Sequence, residues 1–200
     1  MKRIYLLLIL LVIILVLPGC SRYPEQADDG NTWDKNWEML GNSLGVEEPG
    51  NGFSLLENNV VLAANDTYYA SWISGEPSVY VNSEGKEVDL YPAQIYLLYY
   101  GCKDSSSAQE AMNEWMNREK ESYQIREEQE TRLNGQDYNV MTYDCGSETN
   151  PYSRGAAAFG IFHHYVVSAE ISCTELFTGD ESVILTDFLK GCHFSSAAVK

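Results

Sequence analysis

The sequence predicts an α+β domain: an antiparallel sheet with two helices packed on it. Three observations carry this. Two segments place apolar residues at helical spacing, Ala108, Ala111, Met112, Trp115 and Met116 in one, Ile184, Leu185, Phe188 and Leu189 in the other. Around them run short apolar-rich stretches punctuated by Gly, Asn, Ser and Pro, the pattern of strands and turns. Asn134-Gly135 between two such stretches is the strongest short hairpin signal in the chain. Hydrophobic residues make up 44% of the chain, with 14 tyrosines, enough for a real core.

The domain is expected from residue 51 to residue 200, opening at Gly50-Asn51-Gly52-Phe53. Phe53–Leu56 and Val60–Ala63 read as strands on either side of Glu57-Asn58-Asn59. Tyr68–Ile73 leads into the turn Ser74-Gly75-Glu76-Pro77, and Val79–Val81 into Asn82-Ser83-Glu84-Gly85. Ala93–Tyr100 is a continuous apolar run, as for a central strand buried on both faces. Asp104–Glu121 is the clearest helix, with Ser107 and Glu110 matching the S-x-x-E capping box. Its apolar stripe is core-facing, and Glu114 and Arg118 can pair on the wet side. A meander follows: Tyr123–Arg132, Tyr138–Cys145, the loop Gly146–Ser153, Gly155–Phe162, a turn near His163-His164, and Tyr165–Cys173. Asp180–Lys190 is the second helix, with Lys190 suited to its C-terminal dipole and Gly191 to its C-cap. Cys192–Ser195 is expected as a short last strand.

Upstream of the domain, Lys2-Arg3 precedes an apolar run, Ile4–Leu17, that ends in Leu17-Pro18-Gly19-Cys20. A bilayer-spanning helix needs about 20 apolar residues, so an export signal is the better reading. The segment resembles a bacterial lipoprotein signal peptide over residues 1–19 closed by a lipobox. That resemblance implies that Cys20 is diacylated and becomes the mature N-terminus. Pro18 departs from the usual Ala or Ser of the motif. Two acyl chains anchor stably where one binds only marginally. Residues 20–50 read as a polar tether, and Trp33 and Trp37, four apart before Met39-Leu40, suit a short helix that would order part of it. Asp28-Asp29-Gly30-Asn31 lacks the spacing of a calcium loop.

The chain carries 13 basic and 29 acidic residues, a net charge of −16, and loss of Lys2 and Arg3 makes it more acidic still. Nucleic acid and anionic lipid headgroups repel such a surface. Four cysteines follow Cys20: Cys102, Cys145, Cys173 and Cys192. An exported protein can hold them as two disulfides, with four buried free thiols as the alternative where the habitat supplies no oxidant. In the expected meander Cys145 and Cys173 are two strands apart, about 9–10 Å, beyond the roughly 7 Å a bridge tolerates. This disfavours Cys145–Cys173 and its complement Cys102–Cys192. Of the remaining connectivities, Cys102–Cys145 with Cys173–Cys192 is preferred, because the second bridge closes a shorter loop around the last helix.

No catalytic residues are assigned. There is no G-x-S-x-G elbow, H-E-x-x-H pair or P-loop. His163 and His164 are adjacent, so on a strand they point to opposite faces and do not share a metal. No C-x-x-C spacing supports zinc, and no metal or cofactor is expected. Glu127, Glu128 and Glu130 read as a solvated strand edge that discourages further pairing.

The order of strands, helix, four-strand meander, helix and short strand resembles the PsbP-like fold of photosystem extrinsic proteins, Mog-type Ran-binding proteins and many bacterial lipoproteins. The matching features are Gly52-Phe53-Ser54, Ser107–Trp115, Asn134-Gly135-Gln136 and Val183–Gly191, over about residues 52–196. The resemblance implies a binding or assembly-assisting module without catalysis and carries over no functional residue. The expectation is therefore a lipid-anchored extracytoplasmic module on a bacterial cell membrane that engages a protein or envelope component. The alternative is a small-molecule-binding or hydrolytic lipoprotein with an aromatic pocket.

Overall fold

A computed structural model describes residues 45–50, 52–56, 61–63, 67–146 and 150–194. The expected signal segment, Cys20 and the Trp33–Trp37 helix lie outside these residues. The elements run β1 Phe53–Leu55, β2 Val61–Ala63, β3 Thr67–Ser74, β4 Ser78–Val81, β5 Glu87–Leu90, β6 Ala93–Gly101, α1 Ser105–Ser122, β7 Gln124–Leu133, β8 Gln136–Asp144, β9 Arg154–Phe162, β10 Tyr165–Cys173 and α2 Glu181–Gly191. Eight strands form one antiparallel sheet in the order β1-β3-β6-β10-β9-β8-β7, with β2 also on β3. β4 and β5 pair with each other and stand apart as a two-stranded ribbon.

The meander follows from its turns. Asn134 (φ 49°) and Gly135 (φ 80°) are both left-handed, as the tight turn between β7 and β8 requires. His163 (φ 56°) and His164 make the two-residue turn between β9 and β10, which sets Cys173 opposite Arg154 as the sequence suggested. Pairing of β10 with β6 then closes the centre of the sheet.

The period-2 alternation of β10 shows how the layers form. Val167, Ala169, Ile171 and Cys173 face Leu185, Phe188 and Leu189 of α2, while Val166 faces Ala108, Met112 and Met116 of α1. The two helices thus cover opposite faces of the sheet. The α2 side is the larger core and extends over β3 and β6, where the rings of Trp72 and Phe188 meet at 5.2 Å. Glu181, at the start of α2, is buried and takes hydrogen bonds from Arg126 and from Arg154, the latter at 3.0 Å. Arg154 also donates to the carbonyls of Thr174, Phe177 and Gly179, which ties the β10–α2 connection to the sheet.

Several expectations are corrected in detail. α1 is capped by Asp104, whose carboxylate accepts from the Ser107 backbone N–H at 2.8 Å; Ser107 is inside the helix and is not its cap. Gly191 is the last helical residue and Cys192 the C-cap, with an extended backbone. A Cβ on Gly191 would lie 3.0 Å from the Glu47 carboxylate, so its small size serves close packing there. Cys192–Phe194 form no strand, and Ser195 lies outside the described residues. Phe194 instead stacks on Tyr99 at 5.6 Å and caps the core from its face, while the His193 N–H bonds to Gly45 at 2.7 Å. Val46 packs on the core and Pro49 is buried, so packed structure begins upstream of residue 51. β5 has no counterpart among the strands expected from the sequence. Its Glu87-Val88-Asp89-Leu90 alternation lacks the apolar enrichment of a covered strand, and Glu87, Val88 and Asp89 are exposed.

Candidate functional site

Two places in the fold hold groups that core packing alone does not explain. The first is on the α1 side of the sheet, where Glu170 of β10 lies between Tyr96 of β6 and Ala157 of β9. It accepts hydrogen bonds from the Tyr143 hydroxyl and, at 3.4 Å, from the Ser172 hydroxyl. Tyr123 stacks on Tyr143 at 4.3 Å, and the Tyr152 hydroxyl donates to Gln94 at 3.1 Å. Gly155 makes this arrangement possible, since a Cβ there would lie 2.6 Å from the Tyr143 ring and 2.5 Å from the Ile171 carbonyl oxygen.

Glu119, on the last turns of α1, reaches the same place. Its Oε2 is shut off from solvent and has no hydrogen-bond partner. Burial, then the neighbouring Glu170, pushes its carboxyl up to about 8, with Arg118 opposing. Arg118 is held 2.6 Å from Glu114 on the wet side. Burial raises Glu170 too, against the hydrogen bonds from Tyr143 and Ser172. As whole residues both glutamates are half-buried; their carboxyl ends are what lie inside. Glu119 therefore holds its proton at neutral pH, because burial and the neighbouring Glu170 both disfavour its charged form. The tyrosines around them, Tyr96 and Tyr143 above all, are raised by burial and remain neutral donors.

The second place is the β4–β5 ribbon. It rises from the sheet between β3 and β6; Val79 and Val81 are exposed on one face, while Tyr80 and Leu90 on the other are half-buried. Val79 is 68%, Val81 56% and Val88 42% exposed. An open depression of about 450 Å³ lies near the β8–β9 connection, lined by Tyr152, Ser153, Thr174 and Leu176 among others.

The residues singled out by the sequence fall elsewhere. Cys20 lies outside the described residues. Cys102, Cys145, Cys173 and Cys192 are free thiols. Cys102 and Cys145 both border the α1-side core, but they lie at opposite ends of strands separated by β10 and β9. Cys173 sits beside Arg154 at one end of the sheet. Cys192 is beyond α2 at the other end, where the Asn134 side chain donates to its carbonyl at 3.0 Å. The preferred bridges Cys102–Cys145 and Cys173–Cys192 are therefore not formed. Cys145 and Cys173 project to opposite faces, which adds to the separation that disfavours that pair. Burial pushes the thiols of Cys145, Cys173 and Cys192 up to about 12, so none is a thiolate nucleophile at neutral pH.

His163 and His164 occupy their turn, each against a neighbouring ring: Phe162 at 4.6 Å and Tyr165 at 4.2 Å. Among the described residues no group of His, Cys, Asp and Glu is arranged to hold a metal. Glu127, Glu128 and Glu130 lie exposed on the edge strand β7, with Glu128 2.7 Å from Lys120. Sequence reasoning missed Glu119, Glu170 and the ribbon's second strand. A lone charge inside the apolar run Tyr165–Cys173 was the available signal for Glu170. For Glu119 the signal was its place one turn beyond Trp115 on the apolar stripe.

No protein-family model matches the chain, and no curated protein matches its sequence. Among solved structures, the solution structure of cyanobacterial PsbP (CyanoP) from Synechocystis sp. PCC 6803 aligns with 76% of this chain and 99% of that chain, at 11% identity and a TM-score of 0.38. No residue role passes from it to this chain.

Proposed function

We propose that the chain is a lipid-anchored extracytoplasmic module that binds a protein or envelope component and works without catalysis, with the β4–β5 ribbon as its contact surface. The ribbon is the observation that carries this reading. A lone two-stranded hairpin is marginally stable in water, yet this one displays three valines to solvent. Apolar side chains grouped on a projecting element suit a contact surface better than a reaction site. The anchor part of the reading rests on Leu17-Pro18-Gly19-Cys20 after its apolar run.

Two measurements test the two parts. A fatty-acid analogue fed to cells should label the wild-type chain and not Cys20→Ala; equal labelling sinks the anchor. A photo-crosslinking residue at Val79 in intact cells should capture a defined partner that the same residue at Glu110, on the wet face of α1, does not. Identical capture from both positions sinks the contact surface.

A further inference from the structure

We infer that the outer edge of β5 accepts an extended strand from a protein partner in which basic and apolar side chains alternate. This inference rests on the binding-module reading above and names the chemistry of the partner. In the ribbon Val79 stands opposite Asp89, Val81 opposite Glu87, and Tyr80 opposite Val88. Directly opposed side chains share a face. One face of β5 is therefore acidic, through Glu87 and Asp89, and the other apolar, through Val88 and Leu90. Among the described residues β5 pairs with β4 alone. Its far edge keeps a row of unpaired backbone donors and acceptors, a template for another strand.

A strand laid on that edge repeats its side chains with the same period of two. Every second residue would sit beside Glu87 or Asp89, and the residues between them beside Val88 and Leu90. Lysine or arginine fits the first set, with its charge beside Glu87 or Asp89. Apolar residues fit the second. Neither β4 nor β5 carries a basic residue, and the nearby Lys86 lies 3.1 Å from Glu84. The acidic positions thus have no cation of their own strands across from them. A second copy would set Glu87 and Asp89 against the same two acids, which is destabilising for directly opposed like charges. An anionic membrane surface is repelled for the same reason.

The test uses the full chain in detergent with two synthetic peptides, one alternating lysine and valine over six residues, the other alternating glutamate and valine. The lysine peptide should shift and protect the backbone amides of Glu87–Leu90 in a saturable way, and the glutamate peptide should not. Glu87→Lys with Asp89→Lys should weaken the lysine peptide at least tenfold and admit the glutamate peptide. Glu87→Gln with Asp89→Asn, a milder pair, should weaken the lysine peptide without admitting the other. Unchanged amide patterns in β6 and β10 confirm that each variant is folded. Absence of binding at about 1 mM, equal binding of both peptides, or no effect of either pair overturns the inference. If Val79 crosslinks a partner in cells while the lysine peptide fails, the partner chemistry is wrong and the contact surface stands. If Val79 captures nothing specific, the contact surface itself falls.

Discussion

Glu119 shows how one side chain can make a fold's stability depend on pH. Its carboxyl titrates near 8 in the folded chain, above its ordinary value of 4.5, because burial and then Glu170 disfavour the charge. The folded state therefore binds this proton more tightly than the unfolded chain does. Its contribution is complete below about pH 4.5 and is lost as pH rises through about 8. Denaturant melts should show the wild type losing about 2 kcal/mol between pH 5 and pH 8.5, less than full linkage because the residue is half-buried. Glu119→Gln keeps a neutral polar group in place and should flatten that slope. An unchanged slope would place the proton elsewhere. The stripe Ala108, Met112, Trp115 and Glu119 was visible in the sequence. Its meaning was not, because whether a glutamate at the end of a stripe meets water or another carboxyl depends on the strand beneath.

Among the elements, α1 separates what periodicity reveals from what packing decides. The spacing located the helix within a residue at each end, and Ala108, Met112 and Met116 do face the sheet. Trp115 belongs to the same stripe but lies at its margin, half-buried, with its ring 5.6 Å from Tyr100. A fully buried tryptophan would lose about 3–5 kcal/mol on truncation. Trp115→Ala should cost about 2 kcal/mol, since only part of its surface leaves water on folding. A guanidinium melt checks this, and a loss above about 3 kcal/mol would put the ring in the core proper. The stripe could not rank its own members because the sheet's twist decides which lie at the rim. The segment after α2 failed for a related reason. Cys192 and Phe194 are apolar like a strand, but they settle on a face of the sheet rather than along an edge.

Over the whole molecule, the meander and its register were legible because two-residue turns leave little freedom, and Cys173 stands opposite Arg154 as expected. Which face each helix covers was not legible, since the sequence records that an apolar stripe is buried and not against what. The disulfide preference failed at this scale. The four thiols divide between two ends and two sides of one sheet, a separation that loop lengths do not reveal. Native alkylation with iodoacetamide should modify Cys102, which is half-buried, well before Cys145, Cys173 and Cys192, with all four reacting after denaturation. Mass mapping that finds a linked Cys102–Cys145 or Cys173–Cys192 peptide would show that the strand order is wrong.

The bond between Gly45 and His193 gives the molecule a direction. It lies at the end of the sheet marked by Asn134, whose side chain bonds to the carbonyls of Lys190 and Cys192. The β4–β5 ribbon leaves from the other end, between Ser74 and Ala93. The nine residues of β6 span the distance between the two, about 30 Å at the usual rise of a strand. Under the proposed lipid anchor at Cys20, a pull arriving through the residues before Gly45 would enter at one end of the sheet. The ribbon would then lead from the other end, with the length of β6 setting its stand-off.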